Sequence, residues 1–361
     1  MPNLYPLLKP LLWRFPPETA HRVALASIRA APSFLLSSTG KDTGLDITVF
    51  GRRFSNPVGL AAGFDKHAEA VSALFALGFG FIELGGVTRR PQDGNPKPRL
   101  FRLAEDEAII NRMGLNSVGV ETFAAALEKQ AGQTDRGPVA VNLGLNKDAE
   151  DPVDDYSALA ACLAPLADIL TINVSSPNTP GLRALQNPDK LVAILNGVRE
   201  AAQAVPNSKN PAVLIKLAPD LEDRDITEIC RMAERERVAG LVVSNTTVSR
   251  PDSLASPHKS EAGGLSGRPL FDLSTGVLRR IFSETRGAIP LIGVGGIGSG
   301  RDAYAKIRAG ASLVQVYSML VYEGPGLIGR MKNELRACLE RDGFSVLSDA
   351  VGADHREKAQ K

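Results

Sequence analysis

Ile169-Leu-Thr-Ile-Asn-Val-Ser-Ser176 is a short, mainly apolar run that ends in small and polar residues, and it lies between two stretches of helical composition, 157–167 and 190–204. Seven more runs repeat this plan, at 57–63, 81–88, 139–146, 212–219, 240–247, 291–298 and 312–320. Helical composition returns at 66–77, 225–236 and 300–309. Continuous apolar runs suit strands covered on both faces, and strand-then-helix alternation builds a parallel sheet. Eight such units predict an α/β chain closed into a (β/α)8 TIM barrel, an architecture of roughly 250 residues. An open doubly wound sheet is the alternative, because closure leaves no direct mark on a sequence.

Outside the barrel runs, residues 1–40 have a different pattern. Leu4, Leu7, Leu8, Leu11, Leu12 and Phe15 follow helical spacing, and a second apolar stretch at 20–28 comes after Pro16-Pro17. This predicts a two-helix amphipathic extension joined by a proline turn. Pro6 and Pro10 each remove an amide donor and make the first helix imperfect. The hairpin either caps the barrel or lies on a membrane. The chain therefore divides into the extension (1–40), the barrel (41–347) and a polar, charged tail (348–361) expected to fray.

Composition narrows the function. The 361 residues carry 42 basic and 40 acidic side chains, a formal charge of +2, so no broad basic surface for nucleic acid is expected. Cys162, Cys230 and Cys338 are sparse and odd in number, which argues against a disulfide framework or zinc site and for a reducing compartment. His21, His67, His258 and His355 form no ligand pair, so no metal is expected. No apolar run reaches the ~18 residues of a transmembrane helix, and the N-terminus does not read as a signal peptide.

Barrel chemistry gathers at the C-terminal ends of the strands. Those ends hold Lys66, Asn142, Asn173 and Lys216, for which a bare barrel has no need. Turn chemistry accounts for the glycines and some asparagines, but two lysines beside the asparagines indicate an anion-binding pocket. A buried ammonium is costly unless paired, so an anionic ligand is the expected counterpart of Lys216. A Schiff-base lysine is the competing reading. Ile292-Gly-Val-Gly-Gly-Ile-Gly298 lacks the dinucleotide spacing, yet it sits at the seventh strand, where barrels often bind phosphate with the eighth-strand loop, here Tyr317-Ser318. Taken alone, Ser175-Ser176-Pro177-Asn178 reads as turn chemistry, with no triad histidine among the strand ends. Asn111-Arg-Met-Gly-Leu-Asn116 reads as a loop before a helix with Asn116 as a possible cap. Asp65 has either Lys66 or a backbone amide as partner.

Together, Ala61-Ala-Gly-Phe-Asp-Lys66, Arg90-Pro-Gln92, Pro98-Arg-Leu-Phe-Arg102, Asn111-Arg-Met-Gly114, Asn146-Lys-Asp148, Ile172-Asn-Val-Ser-Ser-Pro-Asn-Thr-Pro-Gly-Leu-Arg183, Gly263-Gly-Leu-Ser-Gly-Arg-Pro-Leu270 and Gly293-Val-Gly-Gly-Ile297 resemble the dihydroorotate dehydrogenases, in particular the quinone-dependent, membrane-associated class 2. The resemblance runs in order from about residue 4 to about residue 355. It implies one FMN per chain, contacted by Ala62, Gly63, Phe64, Asp65, Lys66, Gly86, Asn142, Asn173, Lys216, Ser244, Gly267, Gly296, Tyr317 and Ser318. It further implies a dihydroorotate pocket of Lys66, Asn111, Arg112, Met113, Gly114, Leu115, Asn173, Asn178, Asn245 and Thr246, with Ser176 as catalytic base and Lys216 facing the negative charge of the reduced flavin. A membrane quinone would accept the electrons between the two N-terminal helices, on a monomer held peripherally at the cytoplasmic side of the cell membrane if the source is bacterial. Two departures stand out. Gly86 replaces a threonine usual in the family, and Leu115 and Ser117 stand where phenylalanine and asparagine are common.

Overall fold

The structure, a computed structural model, describes residues 5–32, 36, 44–130 and 136–359. Leu4 and the expected boundary near residue 40 lie outside them. Eight parallel strands close into a barrel: β3 (Val58–Leu60), β4 (Phe81–Val87), β7 (Val139–Leu143), β8 (Ile169–Asn173), β9 (Ala212–Leu217), β10 (Gly240–Val243), β12 (Leu291–Val294) and β13 (Ala311–Val316), with β13 pairing back to β3. Seven predicted runs hold one of these strands and the eighth, 312–320, overlaps β13, which begins at Ala311; the doubly wound alternative is set aside by that last pairing. Most of the strands stop short of the predicted runs. The Gly, Ser, Asn and Pro residues that end each run leave the ladder and turn over the barrel mouth, as their backbone preferences dictate.

The other end of the barrel is shut. A hairpin of β1 (Ile47–Val49) and β2 (Arg52–Phe54) places Val49 and Phe54 against Phe81, Ala140, Ile169, Leu214, Val242, Ile292 and Leu313, at the lower turns of the barrel strands. Phe54 is fully buried and meets Phe81 edge-on, with ring centres 5.4 Å apart. The hairpin's buried side chains are apolar, while Arg52 and Arg53 turn away to Lys209 O and Asp46, so the barrel is closed by an apolar layer at this end.

An antiparallel sheet of β5 (Leu100–Leu103), β6 (Ala108–Asn111) and β11 (Gly264–Gly267), ordered β11-β6-β5, roofs part of the mouth. Asn111 is thus a strand residue, paired with Gly264, and not the start of a loop before a helix. The sheet has its own small core of Phe101, Leu103, Ala108, Ile110, Leu254 and Leu265.

The two expected N-terminal helices are present as α1 (Tyr5–Leu12) and α2 (Pro17–Ala30), with Pro17 in the first turn, where a missing amide costs nothing. They are moored to the barrel by Tyr5 Oη donating to Val321 O at 2.5 Å, by an ion pair of Glu18 with Arg99 at 2.8 Å, and by His21 Nε2 against Phe64 O at 2.8 Å. Leu7, Leu8, Leu11, Phe15 and Val23 face outward and are exposed. No helix among the described residues is long and apolar enough to cross a membrane.

The polar tail does not fray over its described part. Leu347–Ala350 and Ala353–Ala359 are helices. Leu347, Ala350 and Ala353 supply a small apolar stripe that is buried, and Asp354 pairs with Arg308 at 2.8 Å. The overall polarity of the segment hid this stripe.

Because the plug fills the barrel base, Phe54→Ala should lower the unfolding free energy by about 3–5 kcal/mol, measured as a shift in the urea midpoint. A loss below about 1 kcal/mol would show that the base collapses around the gap and that the plug is dispensable.

Candidate active site

The strand ends of the barrel, the sheet of β5, β6 and β11, and α2 together enclose a cavity of about 460 Å³. Its floor is built from β4, β7, β8, β9 and β13. Pleating points alternate residues inward, and the parallel register sets Lys216 beside Asn173 and Asn142 beside Gly85. The result is a hydrogen-bonded chain. Asn173 Nδ2 donates to Asn142 Oδ1 at 2.8 Å, and Asn142 Nδ2 donates to Glu83 Oε1 at 2.7 Å. Gln315 Nε2 donates to Glu83 Oε2 at 2.8 Å, and Lys216 Nζ lies 3.5 Å from the same oxygen.

Lys216 therefore already has a counter-charge. The expectation that an anionic ligand would be its partner is corrected by Glu83, a residue of β4 that the strand pattern concealed. Both groups are buried, and a buried ion pair holds only when further hydrogen bonds satisfy it. Burial works to raise the Glu83 pKa. The Lys216 charge and hydrogen bonds from Asn142, Gln315 and Thr171 outweigh it and keep the carboxyl below its ordinary range.

Above the floor, the loop after β8 carries Ser176 into the cavity, where its Oγ accepts from the Asn178 amide at 3.3 Å. Asn178 Nδ2 donates to Asn111 Oδ1 at 3.1 Å, which ties this loop to the roof sheet. Asn245 Nδ2 reaches both Ser175 Oγ at 3.0 Å and Asn173 Oδ1 at 3.3 Å. Lys66 Nζ donates to Asn116 Oδ1 at 2.5 Å, so Asn116 serves the lysine and is not a helix cap. Burial, helped by the Arg99 charge and opposed by Glu18, pulls the Lys66 pKa down to about 8.

Gly267, Gly295, Gly296, Tyr317 and Ser318 also line the cavity. Gly296 has φ of 72°, and a Cβ there would fall 2.5 Å from Phe271 Cβ and 2.6 Å from its amide nitrogen, so only glycine fits against the helix Phe271–Glu284. Ser318 Oγ lies 2.8 Å from Ser266 Oγ, and Tyr317 Oη donates to Gly63 O at 3.0 Å. Four buried polar atoms of lining residues, Trp13 Nε1, His67 Nδ1, Thr246 Oγ1 and Gln315 Oε1, have no partner among the described residues.

The structure gathers nearly all of the residues singled out from sequence. Ala62, Gly63, Phe64, Lys66, Gly86, Asn111, Met113, Gly114, Leu115, Asn142, Asn173, Ser176, Asn178, Lys216, Ser244, Asn245, Thr246, Gly267, Gly296, Tyr317 and Ser318 all line the cavity. Two do not. Asp65 lies below the wall, where its carboxylate accepts from the Glu69 and Ala70 amides at 2.9 and 2.8 Å and shapes the loop after β3. Arg112 turns outward to Glu261 at 2.7 Å and stacks over Phe101. The sequence reading missed Glu83, Gln315, Ser266, Asn116 and His21. Among these, His21 comes from α2, and burial lowers its pKa.

The departures at 86 and 115 prove to be neighbours. A Cβ at Gly86 would lie 3.2 Å from Leu115 Cδ2 and 3.1 Å from Asn142 Oδ1. The leucine thus occupies space that a larger residue at 86 would contest.

A family model described as dihydroorotate dehydrogenase matches residues 44–339. The chain belongs to the dihydroorotate dehydrogenase family. It is 51% identical over 362 residues to the dihydroorotate dehydrogenase (quinone) of Rhodospirillum rubrum, spanning 99% of this chain and 96% of that one. The mitochondrial dihydroorotate dehydrogenase (quinone) of Mus musculus is 49% identical over 98% of this chain and 90% of its own. Among solved structures, the DHODH of Eimeria tenella in complex with ferulenol superposes with a TM-score of 0.91 at 39% identity, covering 96% of this chain and 99% of that one.

The depressed Lys66 pKa has a direct consequence. On the expectation that Lys66 holds the substrate carboxylate, only its protonated form attracts it, so affinity for orotate should hold below pH 8 and fall as pH rises through about 8, by up to about tenfold per unit. Dissociation constants between about pH 6.5 and 9 check this. Lys66→Met should flatten the profile, and a flat profile in the wild type would contradict the assignment.

Proposed function

We propose that the chain oxidises (S)-dihydroorotate to orotate with FMN as hydride acceptor and a membrane quinone as terminal electron acceptor, in the de novo biosynthesis of UMP. The observation that carries this reading is the convergence, in one cavity, of Ser176, Lys66, Lys216 and the amides of Asn111, Asn173, Asn178 and Asn245. A carboxylate on an amide-rich ring calls for this lining: a cation beside several groups that both donate and accept.

The residues present also suit FMN. Gly267 and Gly296 leave a wall without side chains next to Ser318, which fits a phosphate. Ala62, Gly63, Phe64, Gly86, Asn142, Asn173, Lys216, Ser244 and Tyr317 complete the cofactor set, and the free Gln315 Oε1 offers an acceptor to a ring N–H. When bound, FMN supplies the acceptor for the hydride leaving C6 of dihydroorotate. Ser176 Oγ takes the C5 proton. Serine is a weak base, so its transfer must be coupled to the strongly driven oxidation or relayed through water. Lys66 holds the substrate carboxylate, Asn111, Asn178 and Asn245 orient the ring, and Met113, Gly114, Leu115 and Thr246 close over it. Asp65 and Arg112 act one step removed, by shaping the loops that present Lys66 and Asn111.

The same cavity continues from Ser176 to apolar walls made by Leu12, Trp13, Ala20, Leu25 and Ile28 of the N-terminal segment. An apolar quinone reaches the flavin along this passage. The exposed leucines of α1 and Phe15 then lie in the lipid interface, and the enzyme is a peripheral membrane monomer, at the cytoplasmic side of the cell membrane if the source is bacterial.

Ser176→Ala should slow dihydroorotate-dependent flavin reduction by about 10²–10⁴-fold in rapid mixing while orotate affinity stays unchanged. Parallel loss of affinity would make Ser176 a turn residue only. Deleting residues 1–40 should impair quinone reduction far more than flavin reduction. Equal impairment would make the hairpin a structural cap.

A further inference from the structure

Glu83 has no side-chain atom on the cavity surface, yet it lies directly beneath three residues that do: Asn142, Gln315 and Lys216. It comes from the middle of β4 and is fully buried. Both of its oxygens are engaged, Oε1 by Asn142 at 2.7 Å and Oε2 by Gln315 at 2.8 Å with Lys216 at 3.5 Å. Thr171 adds a further hydrogen bond from β8.

A lysine serving only to attract negative charge would act best alone. An ionised carboxylate 3.5 Å away cancels much of its field at any point beyond the pair. Placing a carboxylate in a barrel interior is costly, and here four side chains are spent on satisfying it. The arrangement therefore limits how strongly Lys216 favours negative charge in the cavity. Reduction places negative charge on a bound flavin ring, which Lys216 favours and Glu83 opposes. We propose that Glu83 is a positioning residue that fixes Lys216 in the barrel floor and holds down the reduction potential of the flavin by offsetting that lysine's charge. The inference rests on the flavin reading given above.

The test is the reduction potential of full-length protein with its flavin, measured by slow anaerobic reduction against a reference dye. E83Q removes the charge and keeps the size of the side chain, with its amide oxygen still able to accept from Asn142 or Gln315. Lys216 then acts unopposed, and the redox equilibrium shifts toward reduced flavin by at least about tenfold, roughly 30 mV for a two-electron couple. Thr171→Val removes one donor from the carboxylate without touching the cavity, and its smaller shift runs the opposite way. E83Q that binds flavin at the wild-type potential, or at a lower one, overturns the inference. Should E83Q fail to fold, an unchanged potential in Thr171→Val overturns it equally. Wild-type protein that holds no flavin defeats the flavin reading itself, and the inference with it.

Discussion

The ion pair of Lys216 and Glu83 lies buried inside the barrel, above an apolar base. Each charge alone would be costly there, since an unpaired buried ion loses its hydration with nothing to replace it. The pair is tolerable because Asn142, Gln315 and Thr171, from three different strands, converge on the carboxylate. That convergence requires the strands to be in register and the barrel to be closed, with β13 bringing Gln315 round to β4. The cavity floor is therefore a product of closure. Asn142 passes the constraint on to Asn173, and Asn173 to Asn245 and Ser175, so the loop bearing Ser176 is positioned by a chain that begins at Glu83.

The eight barrel strands were legible because parallel strands buried on both faces must be written as apolar runs, and their polar ends mark the catalytic face. Glu83 was not legible. It sits inside such a run, and nothing in one sequence distinguishes an inward carboxylate with partners on three other strands from a misfit. The sheet of β5, β6 and β11 was hidden for a different reason. Each of these strands has four residues, too few for a period to show, and Gly264 pairs with Asn111 across about 150 positions of sequence. Arg112 stands next to lining residues in sequence, but alternation at the end of β6 sends its side chain outward to Glu261. The motif match carried it along with its neighbours. The order of the described tail depends on Leu347, Ala350 and Ala353, too few to register against its charged composition.

Positions 86 and 115 depart from the usual family pattern, and the structure places them in contact. Leu115 carries a left-handed backbone, φ 53°, and turns its side chain over Gly86 and Gly144. Glycine at 86 and leucine at 115 are each smaller than the threonine and phenylalanine that the family resemblance leads one to expect, so the two changes remove volume from the same place. Polarity changes as well: no hydroxyl reaches into the cavity from position 86, and the local hydrogen bonding falls to Asn142.

The central claim is that this cavity oxidises dihydroorotate at a bound flavin, and anaerobic addition of dihydroorotate to the purified full-length protein tests it most directly. The account predicts a yellow protein, with one FMN per chain, whose visible flavin band bleaches on addition and returns when a quinone is admitted. A protein that carries no flavin, or a flavin band that dihydroorotate leaves unchanged, would contradict it.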